Sequence, residues 1–269
     1  MGKNSVSYKA LYSDIEKDMR VYKDLIFKQW KDIALSIFKW KNLPDGMQSR
    51  HIEETLFIHG RGAFFKDSTK GFLFLPCTQR GDANVYNDPV AWTITGRGYV
   101  TERAANAAVQ VNNSLTSTPS QPFVEMICDE LTEINFAKRQ NRRAQACPII
   151  LSGNTDEILT LKTLFSKIAG FVPAIYKDDK LSIDKGLQAV NLGVPYLGKE
   201  FYEDYVNTEQ RLLAFLGLNF NPLADKKERL ITDEANANKQ QTEANLNSKY
   251  DARKDAVKAI NELFNLDIE

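Results

Sequence analysis

The chain is short of several things: net charge, histidine, cysteine and long apolar runs. Lysine plus arginine and aspartate plus glutamate stand at 35 each among 269 residues, so the global positive field of a protein that grips nucleic acid tightly is absent. The three cysteines, Cys77, Cys128 and Cys147, are odd in number, far apart and without CxxC spacing. They suggest neither a disulfide framework nor a zinc site, and buried thiols are expected. His51 and His59, the two imidazoles, sit in no metal-ligand or nucleophile motif and read as surface or turn histidines. No apolar run approaches the roughly 20 residues that a membrane-crossing helix needs. The Met-Gly start lacks the Ser or Thr of a myristoylation signal, having Val6 instead, and no apolar signal core follows. A protein made and used in cytoplasm is expected.

What is present is ordinary globular composition, 43% hydrophobic and 26% charged, in a chain long enough to bury a sizeable core. Ile15, Met19, Tyr22, Ile26, Ile33, Ile37 and Trp40 recur in steps of three, four and seven, which predicts one amphipathic helix from Ser13 to Trp40. Leu25, Ala34, Leu35 and Phe38 widen its stripe, so that helix is expected to meet neighbours on more than one side. Residues 1–43 thus form an arm and long helix, ended by Asn42-Leu43-Pro44-Asp45-Gly46. Residues 44–118, with a short helix around Ser49–Ile58 and then scattered glycines between runs such as Phe72-Leu73-Phe74-Leu75, predict a small β-rich region.

Ser120-Gln121-Pro122 predicts the start of a second long helix over 119–147, stopped by Pro148. Phe123, Ile127, Leu131, Ile134 and Ala137 mark its packing face. Its first half carries Glu125, Asp129, Glu130 and Glu133, and its second half Lys138, Arg139, Arg142 and Arg143, a polarity that suits the helix dipole. Residues 148–195 read as an α/β insertion, with strands at Ile149–Leu151 and Val172–Tyr176 around a helix over Asp156–Ile168. A third long helix is expected within 196–223, from Gly198 to Leu218. Residues 224–250 carry hardly any large apolar side chain, so a mobile loop is expected there, closed by a short helix within 251–269.

Candidate functional residues are cationic. Lys226, Lys227 and Arg229 form one cluster and Lys138, Arg139, Arg142 and Arg143 another, suited to touching phosphates without reading base sequence. Inter-subunit or intrahelical ion pairs, with complementation of the helix dipole, explain the second cluster equally well. Gly60-Arg61-Gly62 and Gly96-Arg97-Gly98 lack the spacing and ending of a phosphate loop and read as turns. Asp178-Asp179 and Asp233-Glu234 are carboxylate pairs with no third acid placed beside them, so no catalytic residue, metal or cofactor is assigned.

Several ordered landmarks carry a resemblance over about Tyr22 to Leu266. They are Trp40-Lys41-Asn42-Leu43-Pro44, Gly60 to Asp67, Val85-Tyr86-Asn87, the Pro122 helix, Lys226 to Glu234, and Ile260-Asn261-Glu262-Leu263. In these the chain resembles the portal, or head-tail connector, of small short-tailed phages of Gram-positive bacteria. The resemblance implies a mainly α fold with a small β-rich region (α+β) and three long helices in the channel wall. Residues 148–195 would form the narrow end, the β-rich region and closing helix the wide end, and 224–250 a channel loop bearing Lys226, Lys227 and Arg229.

It also implies a non-enzymatic, twelve-membered ring at a head vertex of the virion, assembled in host cytoplasm. The implied partners are double-stranded DNA, capsid and scaffold proteins, a packaging ATPase and lower collar or tail proteins, with no membrane. Charge neutrality fits a bore through which DNA slides, since many strongly basic copies would hold it fast. Relatives with a basic N-terminal arm meet a packaging RNA; here Lys3 and Lys9 are soon followed by Asp14, Glu16 and Asp18, which argues against that partner. Contacts of the longer C-terminal tail found in relatives are not expected after Glu269. Two alternatives stand beside the portal reading: a metal-dependent nucleic-acid-processing enzyme, and a structural collar or adaptor without DNA passage.

Overall fold

The computed structural model describes residues 8–86, 88–146, 149–152, 188–191, 195–219 and 232–269. They fall in two units, Met1–Glu130 with Thr208–Glu269, and Leu131–Asn207.

The first unit opens with α1, Tyr8–Ser36. Ile26, Trp30 and Ala34 are buried at helical spacing, while Val21 and Leu25 stay 52% and 60% exposed on another side. The helix stops four residues before the expected Trp40. Trp40 instead lies in the following segment, where its backbone N–H donates to Ser49 Oγ at 3.2 Å and its indole Nε1 to Glu53 Oε1 at 2.8 Å. A tertiary position for the indole outweighs continuation of the periodicity. α2, Ser49–His59, ends at Gly60, whose φ of 76° completes the left-handed cap and whose N–H donates to Leu56 O.

From Gly60 the chain enters an antiparallel sheet ordered β4-β3-β2-β1-β5, made of β1 (Arg61–Asp67), β2 (Gly71–Gln79), β3 (Ala91–Gly96), β4 (Tyr99–Ala104) and β5 (Ala108–Asn112). β1 lies between β2 and β5, and Ala63, Phe64 and Phe65 are fully buried. Their alternation splits the interior in two. Phe64 packs with Trp40, Ile52, Leu56, Phe74 and Ile260, whereas Ala63 and Phe65 pack with Cys77, Trp92 and Ile94. The β1–β2 turn is closed by Asp67, whose Oδ1 accepts from Thr69 N, Thr69 Oγ1 and Lys70 N. The Tyr99 hydroxyl donates to its other oxygen at 2.6 Å. That bond first, and the turn donors after it, hold the Asp67 carboxyl well below the usual carboxylate range.

α3 spans Gln121–Ala146 as the sequence predicts, α4 spans Gly198–Leu216, and α5 spans Thr232–Phe264. Gly217, with φ 85°, ends α4. The mobile loop expected over 224–250 and the short closing helix are corrected over 232–264 by α5, a single helix of 33 residues, while 224–231 lie outside the described residues. Alanine, glutamate, lysine and glutamine sustain helix well, and the polar side chains of this run have tertiary partners. Asn245 Nδ2 donates to Ala214 O at 2.9 Å and Lys249 Nζ to Phe215 O at 2.7 Å. These bonds reach carbonyls in the last turn of α4, where intrahelical donors run out. The described residues therefore hold four long helices rather than three. Beyond α5, Ile268 is buried, Asn261 pairs with its backbone N–H and C=O, and Glu269 exchanges backbone hydrogen bonds with Lys41.

In the second unit, β6 (Ile149–Ser152) pairs antiparallel with β7 (Gln188–Asn191). Asn141 of α3 donates to Pro195 O at 2.8 Å and accepts from Leu197 N at 3.2 Å, which ties the start of α4 to α3. The helix expected over Asp156–Ile168 and the strand at Val172–Tyr176 lie outside the described residues.

Candidate nucleic-acid interface

α3 changes chemistry along its length. Val124, Ile127, Cys128 and Leu131 are fully buried on one stripe. Lys138 lies seven residues beyond Leu131, and Arg142 two such steps beyond Cys128, so the stripe that is apolar early in the helix turns cationic. At about 100° per residue the four cations span an arc of roughly 140°. Arg139, Arg142 and Arg143 are exposed and Lys138 half-buried. The Arg139 guanidinium sits 5.0 Å from the centre of the Phe136 ring.

The carboxylates of the first half are engaged elsewhere. Asp129 pairs with Lys23 of α1 at 2.7 Å. Glu130 accepts from Arg211 at 3.0 Å and from Thr208 Oγ1 at 3.0 Å. Among the described residues, no carboxylate pairs with Lys138, Arg142 or Arg143. Intrahelical ion pairing therefore does not account for Lys138, Arg142 and Arg143 among the described residues. Lys226, Lys227 and Arg229 lie outside the described residues.

A second charged cluster, which the sequence reading missed, is internal. Arg253 of α5 places Nη2 2.7 Å from Glu53 Oε2 and Nε 2.9 Å from Glu53 Oε1. It also donates to Asn113 O at 3.0 Å and to Asn113 Oδ1 at 3.2 Å, while its guanidinium lies 4.1 Å from the centre of the Phe38 ring. Trp40 donates to the same Glu53 carboxylate. α1's trailing segment, α2, the β5–α3 link and α5 thus meet at one fork-shaped ion pair. Burial, with Arg253 as a near cation, lowers the Lys249 ammonium beside it to about 8. The signal was legible only in part: Glu53 stands among Ile52, Leu56 and Phe57 on the apolar side of α2, and Lys249, Arg253, Ala256 and Ile260 form one helical stripe.

The remaining candidates are turns, caps and packing groups. His51 accepts from Gln48 N at 3.3 Å at the start of α2, and Gly60 and Gly98 sit at positive φ in a helix cap and a hairpin turn. Cys77 and Cys128 are buried, which pushes their thiols up to about 12 and about 11. Among the described residues no three His, Cys, Asp or Glu side chains gather as metal ligands. Asp233 and Glu234 fall in the first turn of α5; Asp178 and Asp179 lie outside the described residues.

The family model described as Phage Connector (GP10) matches residues 7–269. The chain belongs to the phage connector family. A solved structure, described as the portal and tail of native bacteriophage P68, contains a chain similar to this connector at a TM-score of 0.51 and 16% identity. That likeness covers 100% of the connector and 91% of the solved chain. An HK97 family phage portal protein from Corynebacterium diphtheriae is more distantly similar, with a TM-score of 0.44, 8% identity and coverage of 70% and 71%. The connector is a portal protein with an α+β fold, helix-rich with a small antiparallel sheet. Its family is a structural one, and the enzyme reading is not favoured.

Proposed function

We propose that this connector closes into a ring of twelve identical copies at one vertex of the phage head, and that double-stranded DNA passes through its bore. Packaging, retention and ejection of the genome all use that passage. The family match over residues 7–269 carries this reading. Two physical features support it. The net charge is zero while Lys138, Arg142 and Arg143 of α3 have no carboxylate partner among the described residues, a combination suited to weak, transient phosphate contact. Val21 and Leu25 leave an apolar side of α1 exposed, as a helix between neighbouring copies would.

In the ring, Lys138, Arg139, Arg142 and Arg143 line the wall, and Lys226, Lys227 and Arg229 reach the DNA from the segment before α5. Residues 148–195 form the narrow end, met by the packaging ATPase and then by tail proteins. The β-rich region and the end of α5 form the wide end, met by capsid and scaffold. ATP hydrolysis belongs to the motor. Native mass measurement together with negative-stain microscopy tests the reading: closed, perforated rings are expected, and a 30.5 kDa monomer at every ionic strength would reject it.

A further inference from the structure

The β2–β3 connection carries two large side chains that no described residue covers. Val85 and Tyr86 are 94% and 83% exposed, yet the loop carrying them is closed on itself. Ala83 and Pro89 form a bridge, Asn84 N donates to Asp88 O at 2.9 Å, and Asn84 Oδ1 accepts from Tyr86 N at 2.9 Å and Asp88 N at 2.8 Å. Much of the cost of ordering such a contact is therefore met before any partner arrives. Tyrosine is among the side chains that most often anchor an interface. Asp82 and Asp88 flank the tip, both exposed and without an ion pair among the described residues.

The same unit carries a surface of opposite character. β2 pairs with β1 through Pro76 and with β3 from Cys77 onward. Over that changeover lies an open trough of about 790 Å³, within the size range of a small-ligand pocket and so ample for a two-residue tip. Leu75 and Pro76 supply apolar lining, and Arg61, Arg97 and His59 supply cationic or protonatable groups. Neither arginine has an ion-pair partner among the described residues.

We infer that the acidic, apolar tip around Val85 and Tyr86 docks into the Arg61–Arg97 trough of a neighbouring copy of this chain. The inference deepens the proposed ring and rests on it. Charge decides the occupant: Asp82 and Asp88 complement Arg61 and Arg97, while Val85 and Tyr86 meet Leu75 and Pro76. An acidic tip would repel the phosphates of nucleic acid. Because tip and trough are different patches of one surface, the contact is heterologous, the kind that propagates around a ring rather than stopping at a two-fold dimer.

The full-length protein tests this by native mass spectrometry and sedimentation, with circular dichroism as the folding control. Val85→Ser with Tyr86→Ser is expected to keep the helical signal and melting temperature and to lower the ring fraction at least tenfold. Asp82→Lys with Asp88→Lys is expected to do the same, and adding Arg61→Glu with Arg97→Glu to that chain is expected to restore rings. Should a reversed chain misfold, Tyr86→Cys combined with Thr95→Cys is expected to give a ladder of covalent oligomers on non-reducing gels that neither single variant gives. No ladder overturns the inference. Undiminished rings from the serine variant also overturn it and leave the ring standing, as does a serine variant that forms rings but fails only to enter capsids. A wild-type protein that never forms rings overturns both proposals.

Discussion

Glu53 and Arg253 are separated by 200 residues of sequence and share a buried fork of hydrogen bonds. A carboxylate stripped of the guanidinium that forks onto it carries a poorly compensated charge in a poorly solvated place. Arg253→Ala is accordingly expected to cost about 3–5 kcal/mol in urea unfolding, and a loss under about 1 kcal/mol, typical of an exposed pair, would contradict the role given to it. Lys249 allows a test in pH. Its folded-state value is lowered to about 8 from the ordinary 10.5, so between those values the unfolded chain binds the extra proton and stability must rise with pH. Below 8 both states are protonated and the slope vanishes. The melting-temperature difference between wild type and Lys249→Met should therefore move in favour of wild type from pH 8 to 10.5, and a flat difference would count against the burial of this ammonium.

At the scale of elements, α2, α3 and α4 were readable because their apolar residues recur at helical spacing and glycine or proline stands at their ends. The first half of α5 was not. Its stripe is built from Thr242, Leu246, Lys249 and Arg253, residues that count as polar or isolated until the carbonyls of α4 and the carboxylate of α2 come alongside. Gly60 joins two elements and gives the sharpest test of that junction. A β-carbon there would meet Ser117 O at 2.1 Å and Pro119 N at 2.7 Å, both backbone atoms, and φ is already 76°. At Gly98, φ is 70° but the space beside it is open. Gly98→Ala should cost only the left-handed backbone term, about 1–2 kcal/mol, and Gly60→Ala distinctly more. Equal costs for the two in parallel denaturation curves would show that the Ser117–Pro119 contact is easily relieved.

At the scale of the whole molecule, Lys226→Ala with Lys227→Ala is expected to leave ring assembly intact but to impair genome retention or late packaging. Unchanged genome length and retention in particles carrying the variant would remove the channel role from that cluster. Family and fold class were legible beforehand in ordered landmarks such as Trp40-Lys41-Asn42-Leu43-Pro44, in the helical periodicity and in the apolar runs between glycines, because all are local properties of the chain. The basic end of α3 was equally legible, since 3.6 residues per turn dictates which cations share a side. That Lys138, Arg142 and Arg143 lack carboxylate partners among the described residues was not, because Lys23 and Arg211, which occupy Asp129 and Glu130, are distant in sequence. The same holds for Trp40 leaving its helix, for a polar run becoming α5, and for Glu53 and Arg253 finding each other. Periodicity decides which side of an element faces inward; whether a polar group there is matched depends on what the folded chain sets opposite it, through desolvation and hydrogen bonding that no local window contains.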